Sequence, residues 1–451
     1  MIQIKKIALI YITLIFSINL VAQEKPSYAE IDKKTYNQYL QGEWKELIKT
    51  GKLSIKNEID FYYLQVRIGI AYYELKKYRL AIPYLEKAQK LNKNNELVTE
   101  YLYFSYLFSG RNFDARKLSG SFSEALKIKL GIKESPIISA LSFDLRKENF
   151  ENFKAEPAIG ELLQQDVKND YSYFSIGVEH LIENNRKIFW SFSRLKINST
   201  VYNIGELNNQ IDDEREVSQN QYYYSYHNQL SNGLNLVLAA NILNIVSEGS
   251  TLSATGSWGG GWGGGSGGWG GGSGGIITTR FVSNELVGYF ALRKDFSNFQ
   301  FGLNSSLSNL DKNFQFQPGI DFTWYPLANT NIYLSTKANY WLENINNQWK
   351  NEPVVKQAVG FRLLTFYFEP SITYGNIINF TENNAFIVNN DNDVIKERYE
   401  FLIYGSFFKN KLNLFIKYQN YLKTNTYLLN GVSNEISYQN QTLTGGIKWN
   451  F

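Results

Sequence analysis

Polar and apolar positions along the chain follow two different periods. Up to about residue 130 apolar side chains recur at helical spacing. Beyond Pro136 they alternate with polar ones, the signature of strands with one apolar face. The clearest alternation puts Phe314, Phe316, Pro318, Ile320, Phe322 and Trp324 on one face and Gln315, Gln317, Gly319, Asp321 and Thr323 on the other. A second opposes Leu412, Leu414, Ile416 and Tyr418 to Asn413, Phe415, Lys417 and Gln419. The last opposes Leu443, Gly445, Ile447, Trp449 and Phe451 to Thr442, Thr444, Gly446, Lys448 and Asn450.

Such strands build either a soluble all-β domain or a membrane barrel, and three features favour the barrel. Runs such as 314–324 have the length a tilted membrane strand needs, about 9–11 residues, against about 5–6 in soluble sheets. Aromatic residues gather near strand ends, as at Trp324, Tyr325, Tyr340, Trp341 and Trp449, where interfacial girdles lie. Connector lengths also alternate. Short turns fall at 184–185, 231–233, 296–298, 327–329 and 409–411, and long loops at about 147–169, 204–217, 249–277, 344–353, 376–394 and 427–436. Short turns on one side and long loops on the other describe an outer-membrane barrel with a periplasmic short side. The expectation is an antiparallel transmembrane β-barrel of about 14 strands over 131–451, with both of its ends in the periplasm.

Ahead of it, Ile68, Gly69 and Tyr72, followed by Ala81, Leu85 and Ala88, resemble the tetratricopeptide repeat, departing from it at Gln65 and Lys93. A shift of about 34 residues sets Tyr106 under Tyr72 and Ala115 under Ala81, with Gly110 at the turn. Shifting back brings Gly42, Trp44 and Leu47 into register. Residues 23–130 are thus expected to form all-α tetratricopeptide-like helical repeats in the periplasm, making a two-domain chain. The resemblance implies a protein-binding surface, placed here on Tyr72, Tyr73, Tyr103 and Tyr106. The segment 24–130 is basic, with 19 Lys and Arg against 13 Asp and Glu, which reads more simply as a solvated helical face. As a whole the order of parts resembles the YaiO-like outer-membrane barrels.

Composition narrows the chemistry. The 451 residues include no Cys and 2 His, excluding disulfides, thiolate nucleophiles and Cys-based metal sites and disfavouring a multi-His metal centre. A net charge of +4 gives no field for nucleic acid. The mean hydropathy of −0.32 excludes a polytopic helical membrane protein but suits alternating strands. Lys5 and Lys6, the apolar run 7–21 and Ala22 read as a secretory signal peptide over 1–22. Residues 256–275 hold only Gly, Ser and three Trp (Trp258, Trp262, Trp269), a low-complexity tract in an extracellular loop whose rings are candidate surface contacts.

Parity points Asp144, Arg146, Glu179, Asp321, Lys337, Lys356, Arg362, Glu369, Lys417 and Lys448 into the barrel, since charge is costly on a lipid face. The only candidate bases for nucleophilic hydrolysis are His180, which parity places on the outer face as an interface residue, and His227. No sequence spacing ties a Ser to either, so no catalytic, metal or cofactor site is expected. The leading expectation from sequence is an outer-membrane barrel whose periplasmic repeats dock envelope proteins, as scaffold or accessory subunit of an export, assembly or surface-polymer system. The alternative is a pore or transporter for small hydrophilic solutes; a lipid-modifying enzyme comes last.

Overall fold

The computed structural model describes residues 26–93, 95–132, 136–151, 153–205, 210–252 and 276–451. The signal segment and the tract carrying Trp258, Trp262 and Trp269 lie outside the described residues. Among those residues seven helices precede the strands: α1 (Tyr28–Leu40), α2 (Trp44–Lys56), α3 (Tyr62–Glu74), α4 (Tyr78–Leu91), α5 (Glu96–Phe108), α6 (Asn112–Ser119) and α7 (Glu124–Leu130). A capping box starts α1, with Ser27 and Glu30 bonding each other's backbone N–H. Two glycines set how closely the helices pack. A Cβ at Gly69 would meet Leu85 Cδ2 at 2.6 Å, and one at Gly51 would meet Ile68 Cδ1 at 2.6 Å. Leu47, Leu64, Ile68 and Leu85 are fully buried, each stabilising this unit by about 1.5–3 kcal/mol.

The chain divides into two compact units between Ser105 and Tyr106, inside α5, rather than at residue 130. The last two helices therefore belong to the barrel unit, and one contact explains why. Asp114 on α6 accepts a hydrogen bond from the backbone N–H of Gly233 at 3.0 Å while its other oxygen pairs with Arg111 at 2.8 Å, both side chains being buried. Gly233 has φ +68° in a two-residue hairpin turn.

Sixteen strands follow: β1 (Ile138–Phe150), β2 (Leu163–Glu183), β3 (Arg186–Ile204), β4 (Gln210–Ser231), β5 (Leu234–Leu252), β6 (Ile276–Asp295), β7 (Phe299–Ser308), β8 (Phe314–Trp324), β9 (Ile332–Ile345), β10 (Gln348–Leu363), β11 (Phe366–Ile377), β12 (Phe380–Glu382), β13 (Ile387–Asn389), β14 (Val394–Phe407), β15 (Leu412–Leu429) and β16 (Val432–Asn450). All but β12 and β13 form one closed antiparallel barrel, sealed where β1 meets β16 in the register Phe143 to Ile447. The barrel has 14 strands, as the alternation predicts, and both its ends lie on the side of the short turns.

The wall alternates with the sequence. On β16, Ile447 and Trp449 are 48% and 42% exposed outward, while Thr442 and Thr444 are 1% and 7% exposed on the inner face. Two expected long loops are instead tight turns. Asn346 and Asn347 take φ 50° and 66°, and Asn430 and Gly431 take φ 51° and 77°, the left-handed pairs that close two-residue hairpins. Strand pairing therefore continues through most of 344–353 and 427–436. The loop expected at 376–394 is also corrected: it carries β12 and β13, which pair with each other inside the barrel.

Candidate functional site

Loop 378–393 leaves β11, enters the lumen as the β12–β13 hairpin and returns to β14. Its tip reverses through Asn383, Asn384 and Ala385, all at φ between 52° and 63°. Asn tolerates that region well; Ala does so only when its surroundings fix it. Ala385 is fully buried with Leu243, Val287 and Leu310, so the tip sits in an apolar socket on β5 and β6. Phe380, at the hairpin's base, packs with Trp341, Val354, Ile395 and Tyr421 of β9, β10, β14 and β15. The hairpin thus crosses the lumen from one wall to another.

Polar contacts satisfy its backbone along the way, as burial of amide groups requires. Gln317 Nε2 donates to the Thr381 carbonyl at 2.9 Å and its Oε1 accepts from the Thr381 N–H at 3.1 Å. Thr381 Oγ1 lies 2.7 Å from Ser306 Oγ. Tyr223 donates to the Asn384 carbonyl at 3.1 Å, and Asn241 to that of Ala385 at 3.0 Å. Two charged contacts add to these. Arg398 grips Glu382 through two bonds of 2.7 and 2.5 Å, and Arg293 donates to Asn384 Oδ1 at 2.8 Å. The returning stem is tied by Asp391 and Asp393 to Lys168, by Asp391 to Lys423, and by Asp393 to Tyr438.

Space remains around the hairpin. One cavity of about 740 Å³ lies between it and the inner wall, and a second of about 540 Å³ adjoins it near the short-turn end. Asn383, Asn384 and Phe386 of the hairpin tip border both. The larger is lined by Asp144, Arg146, Asp321, Lys337, Lys356, Glu369 and Lys417, together with tyrosines such as Tyr171, Tyr333 and Tyr404. Glu179 and Lys448 line the smaller and pair at 3.0 Å. Arg362 is the exception among the sequence-derived lumen residues. It is exposed at the end of β10, where it bonds the Leu364 carbonyl at 3.0 Å and lies over Tyr367. The register joins it through Tyr367 to Tyr404, which borders both cavities, but Arg362 itself lines neither. Sequence reasoning missed Glu382, Arg398 and Arg293: the first sits in a segment read as an external loop, and the two arginines gain their meaning from it.

His180 stands on the outer wall, where Trp190 Nε1 donates to it at 3.0 Å. His227 faces the smaller cavity with Ser225 Oγ 3.3 Å from its Nε2, a pairing two residues apart on one strand face. Among the described residues no carboxylate bonds the other ring nitrogen, and no cluster of metal-ligating side chains occurs.

The tyrosines expected to face a partner are in large part core. Tyr72 is 7% exposed and stacks on Tyr84, and burial pushes its phenol up to about 12. Tyr106 is 3% exposed beneath Arg111. Tyr73 is half-buried against Tyr78 and Tyr101, with its phenol also raised to about 12 by burial, and half-buried Tyr103 contacts Phe104.

No protein-family model and no curated relative matches the chain. Solved structures similar to it include a FadL homologue of Pseudomonas aeruginosa, 8% identical over 70% of this chain and 90% of that one, with a TM-score of 0.39. The toluene transporter TodX of Pseudomonas putida is 6% identical over 70% and 89%, with a TM-score of 0.39. A deltaS2S3 mutant of the monoaromatic hydrocarbon channel TodX is 6% identical over 73% and 95%, with a TM-score of 0.46. The docking-scaffold expectation is corrected at this point. Tyr72 and Tyr106, two of the four tyrosines placed on the docking surface, have little surface to offer a partner, and this chain's own elaboration, the β12–β13 hairpin, lies in its lumen.

Proposed function

We propose that the chain is an outer-membrane channel for small hydrophilic solutes, closed at rest by its own lumenal hairpin. One observation carries this reading: a hairpin anchored to opposite walls, with charged, tyrosine-lined cavities of about 740 and 540 Å³ beside it. A wall whose only task was structural has no need of an inserted loop, and a barrel of this size lies between side-chain-filled 8-stranded barrels and open ones of 16–18 strands. The apolar outer face meets lipid in this reading, and the polar inner face meets the solute. The short-turn side faces the periplasm, residues 1–22 serve as the export signal, and the tetratricopeptide-like helices occupy the periplasm. The Gly/Ser/Trp tract belongs to a loop on the outer side.

Planar-bilayer recording on the purified full chain tests it. Discrete conductance steps are expected when 380–389 is replaced by a short Gly/Ser linker, with the intact chain opening only rarely. A folded barrel that stays silent in both forms overturns the reading.

A further inference from the structure

Neighbouring strands bring one row of inner-face residues into direct register across the wall. Arg293 on β6 stands opposite Gly302, which faces Asp321, then Lys337, Lys356, Thr373 and Arg398. Four of these seven positions are cationic and one is acidic. Lys337 and Lys356 are directly opposed like charges, an arrangement that costs stability. Such violations persist where function requires them.

The counter-charges are unevenly spent. Asp321, although opposite Lys337, is engaged by Arg293 at 3.2 Å and by Asn304 at 3.2 Å. Lys356 pairs with Glu400, and Arg398 with Glu382 and Glu400. Lys337 makes no hydrogen bond or ion pair among the described residues, nor does Lys417, which lines the same cavity. Asp144 is the one lining carboxylate in the same condition, and Glu369 takes a bond from Tyr333. The cavity therefore holds two uncommitted ammonium groups against one carboxylate. The carboxylate that fills the strongest cationic fork, Glu382 on Arg398, comes from the hairpin itself. An arginine fork of this kind suits any bidentate oxyanion.

We propose that the larger cavity is a binding site for a small oxyanion, carboxylate or phosphate, held by Lys337 and Lys417, with Glu382 as the resident counter-ion that it displaces from Arg398. The solute's passage rests on the channel reading; its binding does not.

Calorimetry on the detergent-solubilised full chain, with inorganic phosphate, citrate and choline as separate probes, tests the site. Saturable binding of phosphate or citrate is expected, with none of choline. Lys337→Gln and Lys417→Gln should each weaken it by about tenfold or more, as loss of a charged contact does, while Lys337→Arg retains it. Glu382→Gln should tighten binding, because the internal competitor is gone. Folding of each variant is checked by its circular dichroism and gel mobility. No saturable anion binding by a folded barrel overturns the proposal, as does equal binding of choline or affinity that Lys337→Gln and Glu382→Gln leave unchanged. Conductance without anion binding removes this site and leaves the channel. Anion binding by a barrel that never conducts removes the channel and leaves the site.

Discussion

Ser306 on the barrel wall and Thr381 on the lumenal hairpin hold their hydroxyl oxygens 2.7 Å apart. Both are buried, so the contact reports directly on whether the hairpin is seated. The chain has no Cys, and two side chains this close suit a disulfide's short span between Cβ atoms, about 3.5–4.5 Å. The double variant Ser306→Cys with Thr381→Cys should therefore form one defined bond on oxidation. If the hairpin must leave its seat to open the path, the oxidised protein conducts far less than the reduced one in the same bilayer. Equal conductance in both states would show that solutes pass with the hairpin in place.

Much of this architecture was legible in the sequence because a barrel wall obeys a period of two without interruption. Strand β8 reads Phe, Gln, Phe, Gln, and the structure buries Gln315 and Gln317 while leaving Phe314 and Phe316 outside. That periodicity gave the strand number and the lumenal placement of Asp321, Lys337 and Lys417. What it hid was the destination of 378–393. A loop rich in Asn and Asp looks solvated, and nothing local distinguishes one that meets water from one whose amides and carboxylates are matched by Arg398 on the strand that follows it and by Gln317, Lys168 and Tyr438 from other strands. The two Asn-containing turns were hidden differently. Asn346 and Asn347 sit in a polar stretch that reads as a loop, although Asn pairs are also hairpin turns. Ser225 and His227 are neighbours two residues apart on one strand face, a pairing that the spacing of a hydrolytic triad does not describe.

The helix α6 is fastened to the barrel by Asp114, which serves Gly233 and Arg111 at once. Replacing Asp114→Ala leaves a buried amide and a buried guanidinium each short of a partner, at a cost of about 1–3 kcal/mol for each lost bond. Hydrogen exchange should accelerate at 231–234 and along 112–119, while the barrel strands remain protected. Unaltered protection at Gly233 would mean that the turn holds itself and the helix merely rests nearby.

The outer face makes a sharper demand. Ile416 is 58% exposed on β15, opposite Ile403 on one neighbour and Gly445 on the other, within the apolar belt. If that belt meets hydrocarbon, Ile416→Arg places a charge there and destabilises the barrel by up to ~2–4 kcal/mol, while Ile416→Leu is nearly neutral. Urea unfolding in phospholipid vesicles reads the difference as a lowered midpoint for the arginine variant. The neighbouring Lys417 supplies the internal control: it points the other way, into the cavity, so Lys417→Gln should leave the midpoint close to that of the parent. A lowered midpoint for Lys417→Gln together with a tolerated Ile416→Arg would reverse the two faces and remove the membrane assignment, because only the orientation of the strand separates these adjacent residues.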